Sequence, residues 1–338
     1  MKKIISQNSL LDNNSIRKFL IKNYSFIGRN LEIKQLKHNY RNSINYKILT
    51  KTNSYVLRKF LDRSSPIKIE KICKILEICR KKNVKVLEPI KNTKGYYVDK
   101  KNCIFLTKYY SGHLYKNSKE DFDDFSKNVA ILHNTLLKNS ISFNYKPFKK
   151  EHKILTINEI ENIRSKIKCK KKYEDFDYKI IKDFDFLLKV FGDWQKTSKS
   201  FDSLKFKKQL IHNDLQPGNV IFNRGKVNAI IDFNGMSKGY KIEDIAFASF
   251  RFSVFSTNNL LIINKKIERF LKNYAKYSNI EQEQLDSFHL FLTRKILIGI
   301  SRILRLKYFC NSDLWIIDYE KSMKFLRISN KLALKPQF

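Results

Sequence analysis

The spacing of apolar residues divides the chain into a strand-rich first part and a mainly helical remainder. Between about 31 and 60, short segments rich in β-branched and aromatic residues are separated by polar turn residues, which is typical of antiparallel strands. From about 118 onward, apolar residues recur at helical spacing. We expect helices over 119–138, 151–168, 177–199 and in several segments after 241. The pattern predicts an α+β fold.

Two further helices and another strand are expected in the first part. The segment "NSIRKFLIKNY" (14–24) predicts a short capped helix. The segment "SSPIKIEKICKILEICRKKN" (64–83) predicts a longer helix, with Ser65 as N-cap and Pro66 at the first helical position. The segment "CIFLTKYY" (103–110) predicts a strand, and the Ser-Gly pair that follows it indicates a linker to the helical part.

One β-hairpin is expected inside the helical part, in the stretch that begins with "LIHNDLQPGNVIF" (210–222). The apolar runs "NVIF" and "VNAIIDF" flank the turn "NRGK", which is typical of a hairpin. Asp232 ends the second strand, so the hairpin would return it to the vicinity of Asn219. Polar and charged residues should therefore gather at one edge of this hairpin.

The residues expected at that edge suit metal and phosphate chemistry. His212, Asp214 and Asn219 surround a Pro-Gly turn, and Asp232 joins them from the second strand. Two carboxylates and an amide oxygen are hard ligands of the kind that Mg²⁺ prefers. An ordinary turn gains little from two carboxylates that repel each other. A metal–phosphate site is the interpretation that the residue types favour, and a structural hairpin with coincidental polar residues is the alternative.

The motifs of this region resemble those of a known superfamily of kinases. H-x-D-x-x-x-x-N followed by D-F is the spacing of kinase catalytic loops, and "HNDLQPGNVIF…AIIDFNG…IEDIAFA" resembles the aminoglycoside phosphotransferase and choline kinase-like superfamily. The resemblance covers about residues 30 to 260. It implies a bilobal protein kinase-like fold, with a nucleotide-binding lobe over 1–110 and a helical lobe for catalysis and substrate over 111–338.

The resemblance also implies a role for each residue of the loop. Asp214 would accept the proton of the substrate hydroxyl, or hold that hydroxyl in line for attack. Asn219 and Asp232 would ligate the Mg²⁺ that bridges the phosphates of ATP. His212 would brace the loop rather than take part in the chemistry. Asp244, in the later motif, would anchor the loop by accepting hydrogen bonds.

In the first lobe, the resemblance places the phosphate-binding cation on the strand "YVLRKF". Arg58 would hold the α- and β-phosphates of the nucleotide. Its expected partner is Glu70 on the following helix, and Glu77 competes for that assignment.

The resemblance also suggests nucleotide contacts for Asn42 and Gln216, and each of these assignments has an alternative. Asn42 and Tyr46 match an N-x-x-x-Y pattern of the nucleotide-covering loop, although 39–48 contains no glycine and close approach of its backbone to a phosphate is less assured. Gln216 would donate a hydrogen bond to the γ-phosphate, or face solvent.

The same motifs favour a small-molecule substrate over a protein substrate. The residue before Asp214 is Asn213, where protein kinases controlled by phosphorylation usually have Arg. Only eleven residues separate Asp232 from Asp244, and no A-P-E motif follows. We expect ATP-dependent phosphorylation of a hydroxyl on an amino alcohol, sugar, homoserine-like compound or aminoglycoside. The alternative is a non-catalytic kinase-like protein with a structural or nucleotide-binding role.

Net charge is the unusual bulk property, with 68 Lys and Arg against 32 Asp and Glu, or +36. Such a charge is typical of proteins that bind nucleic acid or anionic membranes. The basic residues are spread along the chain rather than clustered, however, and Lys, Asn and Ile are over-used together. Coding bias therefore explains the charge better than a nucleic-acid partner does. The charge would still attract an anionic nucleotide.

Cysteine usage and hydropathy indicate a cytoplasmic enzyme. The five cysteines include no C-x-x-C pair, so neither a zinc site nor a disulfide framework is predicted. The most apolar late segment (288–304) is interrupted by charges and is expected to be an amphipathic core helix rather than a membrane span. The aromatic segment "FASFRFSVF" (247–255) could line a substrate pocket or form a core helix. Nothing in the sequence indicates the oligomeric state.

Overall fold

The structure, a computed structural model, describes residues 12–36, 43–60, 65–138, 153–202 and 206–332. Its N-terminal part is an antiparallel sheet with one helix on each face. The helices are α1 (Asn13–Asn23) and α2 (Pro66–Lys81), and the strands are β1 (Glu32–Gln35), β2 (Ser43–Leu49), β3 (Ser54–Phe60), β4 (Pro89–Ile90), β5 (Val98–Asp99) and β6 (Ile104–Lys108). The strand order is β1-β2-β3-β6-β4, and β5 also pairs with β6.

Alternation along β3 determines which side chains reach each face of the sheet. Leu57 points to the face covered by α1, where it packs with Leu20 of that helix. Phe60 points to the opposite face and packs with Ile69 of α2. Arg58 lies on the same face as Phe60 and pairs in register with residues of β2 and β6. The period of two thus places the cation on the α2 side of the sheet.

Helix α2 begins where the sequence predicts it. Ser65 is the N-cap, and its hydroxyl accepts a hydrogen bond from the Lys68 amide at 3.4 Å. Pro66 occupies the first helical position. A proline here costs no hydrogen bond, because the first amides of a helix have no partner within it.

The C-terminal part is mainly helical. Its helices are α3 (Lys119–Lys138), α4 (Ile157–Lys168), α5 (Asp175–Asp202), α6 (Lys241–Ser253), α7 (Leu260–Ala275), α8 (Gln282–Asp286), α9 (Phe288–Cys310) and α10 (Tyr319–Ser329). Helix α4 begins later than the apolar spacing predicts, because Thr156 and Glu159 form a capping box that starts the helix there. Helix α6 packs against α7 and α9, and α9 packs against α10. None of the helices in the described ranges is long and apolar enough to cross a membrane.

The predicted hairpin is present as β8 (Val220–Asn223) and β9 (Lys226–Ile230). Its turn places Arg224 and Gly225 at positive φ, as a tight hairpin turn requires. A second two-stranded ribbon lies beside it, formed by β7 (Gln209–Ile211) and β10 (Ser237–Gly239), and the sequence pattern does not predict it. The segment that carries the predicted site residues begins after β7 and ends before β10, and the hairpin β8–β9 lies within it.

The hairpin is hydrogen-bonded to segments on both sides of β6. The amides and carbonyls of His113 and Phe222 exchange hydrogen bonds at 2.9 and 2.8 Å. The Ile230 amide donates to the Lys85 carbonyl at 2.8 Å. Gly112 makes the first contact possible, because its φ is +143° and a Cβ there would lie 2.1 Å from the Phe222 carbonyl oxygen.

Candidate active site

The segment between β7 and β8 brings Asp214 and Asn219 into direct contact. The Asn219 side-chain amide donates from Nδ2 to the Asp214 carboxylate at 2.8 Å and to the Asp214 carbonyl at 2.8 Å. The Ile231 amide donates to the Asn219 carbonyl at 2.9 Å, which places the residue after β9 beside this pair. Three of the residues that the sequence predicts to converge, Asp214, Asn219 and Asp232, therefore do so.

Asp232 connects this cluster to the N-terminal sheet. Its Oδ1 accepts from Arg58 Nη1 at 3.2 Å and from Asn234 Nδ2 at 2.8 Å. Arg58 also donates from Nε to Asn45 Oδ1 at 2.8 Å, and its side chain is only 13% exposed. The Asp232 backbone lies in the left-handed region at φ 62° and ψ 57°. Such conformations cost free energy and are concentrated at functional sites.

His212 is buried and contacts the backbone of the loop. Its ring is fully buried and lies 4.4 Å from the Phe233 ring, measured between centroids. Its Nε2 is 2.9 Å from the Ile231 carbonyl, and its Nδ1 accepts from the Asp214 amide at 3.2 Å. In these contacts Nε2 is the donor, to the Ile231 carbonyl, and Nδ1 is the acceptor. Both ring nitrogens are thus occupied by backbone groups, in agreement with the predicted bracing role.

Asp244, at the start of α6, anchors the backbone of the same loop. Its carboxylate accepts from the amides of His212 and Asn213 at 2.7 and 2.8 Å, and lies 3.3 Å from His133 Nε2. Burial alone would raise the pKa of Asp244, but the hydrogen bond from His133 and the positive charge of Lys295 hold it below the ordinary value. The predicted anchoring role is confirmed by these hydrogen bonds.

Asn213 adopts a backbone conformation that explains its residue type. Its φ is 67°, in the left-handed region that Asn tolerates better than Arg or other large residues. Its side chain donates to the Ser237 hydroxyl at 3.3 Å, and Lys295 Nζ donates to its carbonyl at 2.5 Å and to its side-chain oxygen. The residue before Asp214 therefore shapes the loop.

The surroundings of Asp214 raise the pKa of its carboxyl group. Burial is the main cause, Lys295 opposes the shift with its positive charge, and Asp232 adds to it with a negative one. Burial in turn lowers the pKa of Lys295, against the opposing charges of Asp214 and Glu243. A raised carboxyl pKa suits a group that accepts a proton near neutral pH.

A cleft of about 600 Å³ opens beside the loop. Gln216 is at its edge and donates from Nε2 to the Asp214 carboxylate at 3.3 Å. The other residues that line the cleft come from the same loop, from the end of α6 and from α10: Pro217, Gly218, Arg251, Val254, Phe255, Glu320, Lys321, Lys324 and Phe325. Helix α6 is thus partly a core helix, with Phe250 and Phe252 buried, and also contributes Arg251 to the wall of the cleft.

The sequence model of one protein family, the phosphotransferase enzyme family, matches residues 32–278. That range extends from β1 through the loop and hairpin to the end of α7. The chain belongs to the phosphotransferase enzyme family. Comparison of this phosphotransferase with curated protein sequences gives no significant match.

Solved structures resemble this phosphotransferase along nearly all of its length. A spectinomycin phosphotransferase in complex with ADP and spectinomycin is 13% identical, with a TM-score of 0.68 and coverage of 95% of this chain and 98% of that one. An amicoumacin kinase in complex with AMP-PNP, Ca²⁺ and its substrate is 15% identical, with a TM-score of 0.65 and coverage of 98% and 95%. The ethanolamine kinase of Plasmodium vivax is 18% identical, with a TM-score of 0.60 and coverage of 94% and 87%. The predicted fold class, superfamily and enzyme class are confirmed.

Glu70, the predicted partner of Arg58, makes other contacts in the structure. Glu70 accepts hydrogen bonds from the backbone amides of Tyr97 and Val98, both at 3.0 Å. Among the described residues, Arg58 forms an ion pair with Asp232, whereas the Glu70 carboxylate contacts backbone amides. The buried carboxylate instead fixes the segment that leads into β6. Asn42 lies outside the described residues.

The oxygen donors of Asn219 and Asp232 fit a divalent cation. Asn219 uses Nδ2 to contact Asp214, which leaves its Oδ1 available as a ligand. The Oδ2 of Asp232 accepts no hydrogen bond from the described residues. Across those residues, no group of three or more His, Cys, Asp or Glu is arranged to hold a metal. This sparse set suits Mg²⁺, which typically takes one or two carboxylates and completes its shell with phosphates and water.

The sequence motifs do not identify Lys295. We expect its positive charge to influence the pH below which activity is lost. Its positive charge opposes the rise in the Asp214 pKa, so Lys295→Met is expected to raise that pKa further. The acid limb of the pH profile of kcat/KM should move to higher pH. Lys295→Arg keeps the charge and should leave the limb close to that of the unmodified enzyme. A limb that stays in place in Lys295→Met would show that another group titrates.

Proposed function

We propose that this phosphotransferase transfers the γ-phosphoryl group of ATP to a hydroxyl group of a small molecule, with Asp214 as the base. One observation carries the proposal. The side chain of Asn219 donates to the Asp214 carboxylate, while the Asn219 backbone holds Ile231 and so places Asp232 beside the pair. A base and two metal-ligand oxygens are thereby gathered at one point, as phosphoryl transfer requires.

This geometry gives the path of the proton that leaves the substrate hydroxyl. As the substrate oxygen bonds to the γ-phosphorus, the bond from that phosphorus to the bridging oxygen of ADP breaks. The hydroxyl proton passes to the Asp214 carboxylate. Hydrogen bonds from Asn219 and Gln216 fix the orientation of that carboxylate, so the base is positioned before the substrate arrives.

Asn219 and Asp232 would hold Mg²⁺ through Oδ1 and Oδ2. When bound, the ion supplies positive charge that offsets the charge on the phosphate oxygens. Arg58 lies beside Asp232 and carries a charge at the edge of the same cluster, so it is suited to contact the α- and β-phosphates. Arg58 would exchange its contact with Asp232 for phosphate oxygens as the nucleotide binds.

The cleft lined by α6 and α10 suits a small acceptor. Its volume of about 600 Å³ lies within the range of small-molecule sites. It adjoins Gln216, which touches the Asp214 carboxylate. An acceptor seated there would present its hydroxyl group to the base. The relatives solved with spectinomycin and with amicoumacin act on small molecules, which supports the same size class.

Binding of MgATP provides the first test. A nucleotide present at about 100 times its Kd stabilises the native state by about 2.7 kcal/mol, and the Tm should rise accordingly. The rise should disappear with EDTA and shrink in Asp232→Asn, which lacks one carboxylate. ADP release should then be measured with a panel of alcohols. Absence of any MgATP-dependent rise in Tm would refute the kinase proposal and favour a non-catalytic role.

A further inference from the structure

We infer that the acceptor of this phosphotransferase carries an anionic group, a carboxylate or a phosphate, close to the hydroxyl that is phosphorylated. The inference rests on the proposed function and narrows its substrate class. The site is the cleft of about 600 Å³ between the catalytic loop, the end of α6 and α10.

The charged residues that line the cleft are mostly cations. Arg251, Lys321 and Lys324 contribute positive charge, and Glu320 is the negative residue among those that line it. Glu320 is already paired, because its carboxylate lies 2.5 Å from the ammonium group of Lys179. The lining therefore offers two or three cations to a ligand and no uncommitted carboxylate.

Arg251 distinguishes this cleft from a basic surface. Its guanidinium lies over the Phe325 ring at 4.7 Å and the Phe247 ring at 5.3 Å, measured to the ring centroids. Within the described part of the chain it makes no salt bridge or hydrogen bond to a carboxylate. Burial lowers the pKa of Arg251, and the charges of Asp214 and Asp318 oppose this effect. A desolvated cation with aromatic walls and no direct counter-ion is stabilised when an anion binds.

Lys321 adds a second cation to the same wall. It is exposed on α10, one helical turn before Phe325, and its ammonium group lies 5.9 Å from the centroid of that ring. Partial desolvation lowers the pKa of this ammonium group. The positive charge of Arg251 contributes to the lowering, and Asp318 and Asp214 oppose it. Arg251 and Lys321 repel each other, and an anion bound between them would stabilise both positive charges. Arg251 can offer two parallel N–H donors to a carboxylate or phosphate, and Lys321 can offer a point charge.

The cleft faces the acceptor and not the nucleotide. Every lining residue follows Asp214 in the chain, and none comes from the sheet that carries Arg58. Gln216 lines the same cleft as Arg251 and Lys321 and donates to the Asp214 carboxylate at 3.3 Å, so the base lies at the edge of the cleft. An anionic substituent held by the cations would therefore place a neighbouring hydroxyl near the base. A cationic acceptor would meet like charge instead, which disfavours simple amino alcohols and, more strongly, polycationic aminoglycosides.

The test compares acceptors that differ in charge and little else. One set is glucuronate, glucuronamide and 6-amino-6-deoxyglucose, and a second is glycerate, glyceramide and 3-aminopropane-1,2-diol. Glycerol phosphate distinguishes a phosphate from a carboxylate as the recognised anion. ADP release is measured for each compound with MgATP. We expect kcat/KM for the better anion to exceed that for its matched neutral compound by about 30-fold, the effect of one desolvated charge pair.

Substitutions in the cleft test whether its cations cause the preference for an anionic acceptor. Arg251→Glu should reverse the order, so that the amine becomes a better acceptor than the acid. Lys321→Gln, which removes one cation and adds none of the opposite charge, should raise KM for the acid and leave kcat less affected. Lys265→Gln on α7 is the matched control, because that lysine is exposed and does not line the cleft. It should leave the acceptor preference unchanged.

Failure of the inference differs from failure of the proposed function. If the amine or the amide is the best acceptor in both sets, the inference is wrong and the kinase assignment stands. If no compound turns over, the rise in Tm with Mg²⁺ and AMP-PNP is measured with each acid and each amide. Equal rises overturn the inference. A protein that MgATP does not stabilise overturns both.

Discussion

Asp214→Asn is expected to lower kcat by about 1,000-fold, the usual contribution of a positioned general base. The substitution keeps the shape of the side chain. An oxygen at the same position can still accept from Asn219, so the loop should retain its conformation. What is lost is the capacity to take up the hydroxyl proton. The measurement is ADP release at saturating MgATP and acceptor.

Nucleotide binding provides the internal control for this variant. The rise in Tm with MgATP should remain close to that of the unmodified enzyme, because Asn219, Asp232 and Arg58 are unchanged. Asp193→Asn is the matched control for the chemistry of the substitution, since Asp193 is exposed on α5 and does not line the cleft. A kcat for Asp214→Asn within about tenfold of the unmodified value would refute the role of Asp214 as base.

Asp244→Asn should reduce the free energy of unfolding by about 3 kcal/mol, because a buried charged partner of several hydrogen bonds is removed. The carboxylate accepts from the amides of His212 and Asn213 and contacts His133. A carboxamide has one oxygen for these donors, and its NH₂ group would face another donor. Urea denaturation followed by circular dichroism measures the loss.

The pH dependence of stability gives a second readout for Asp244. Its pKa is lower in the folded protein than in the unfolded chain. The folded state is therefore stabilised at pH values above the unfolded pKa, and this contribution is lost as the pH falls through the folded pKa, below the ordinary carboxyl range. Asp244→Asn should lose this part of the acid dependence. A loss in stability below about 1 kcal/mol, the size of a single ordinary hydrogen bond, would contradict the anchoring role.

Local sequence rules were sufficient for the long elements of the fold. Strands β2 and β3, helix α2 with its Ser65 cap and the hairpin β8–β9 lie where apolar periodicity and turn residues predict them. Strands β4 and β5 have two residues each, which is too short for a period to be recognised. The ribbon β7–β10 joins segments that are distant in sequence, and only tertiary pairing reveals it.

The motif residues were predictable because they are close in sequence or returned by one hairpin. Lys295 was not identified, since it reaches the loop from α9 through helix packing that no local pattern encodes. Arg251 lies in the segment 247–255, and no local pattern indicates which of its side chains lines the cleft. The contacts of Glu70 could not be predicted for a related reason. A carboxylate on a helix facing a sheet can pair with a strand cation or with loop amides, and the path of the 97–98 segment decides between them.

The hydrogen bonds that the hairpin makes to Lys85 and His113 determine where the molecule can flex. The chain enters the last strands of the sheet near 85 and leaves them near 113, and both points are tied to the same two strands. Because the chain is hydrogen-bonded to the hairpin both before and after these strands, the 110–112 segment cannot act as a single flexible hinge for the sheet. Rocking that admits a nucleotide would instead pivot about the hairpin itself, so the axis of opening passes close to the carboxylates that the triphosphate must reach.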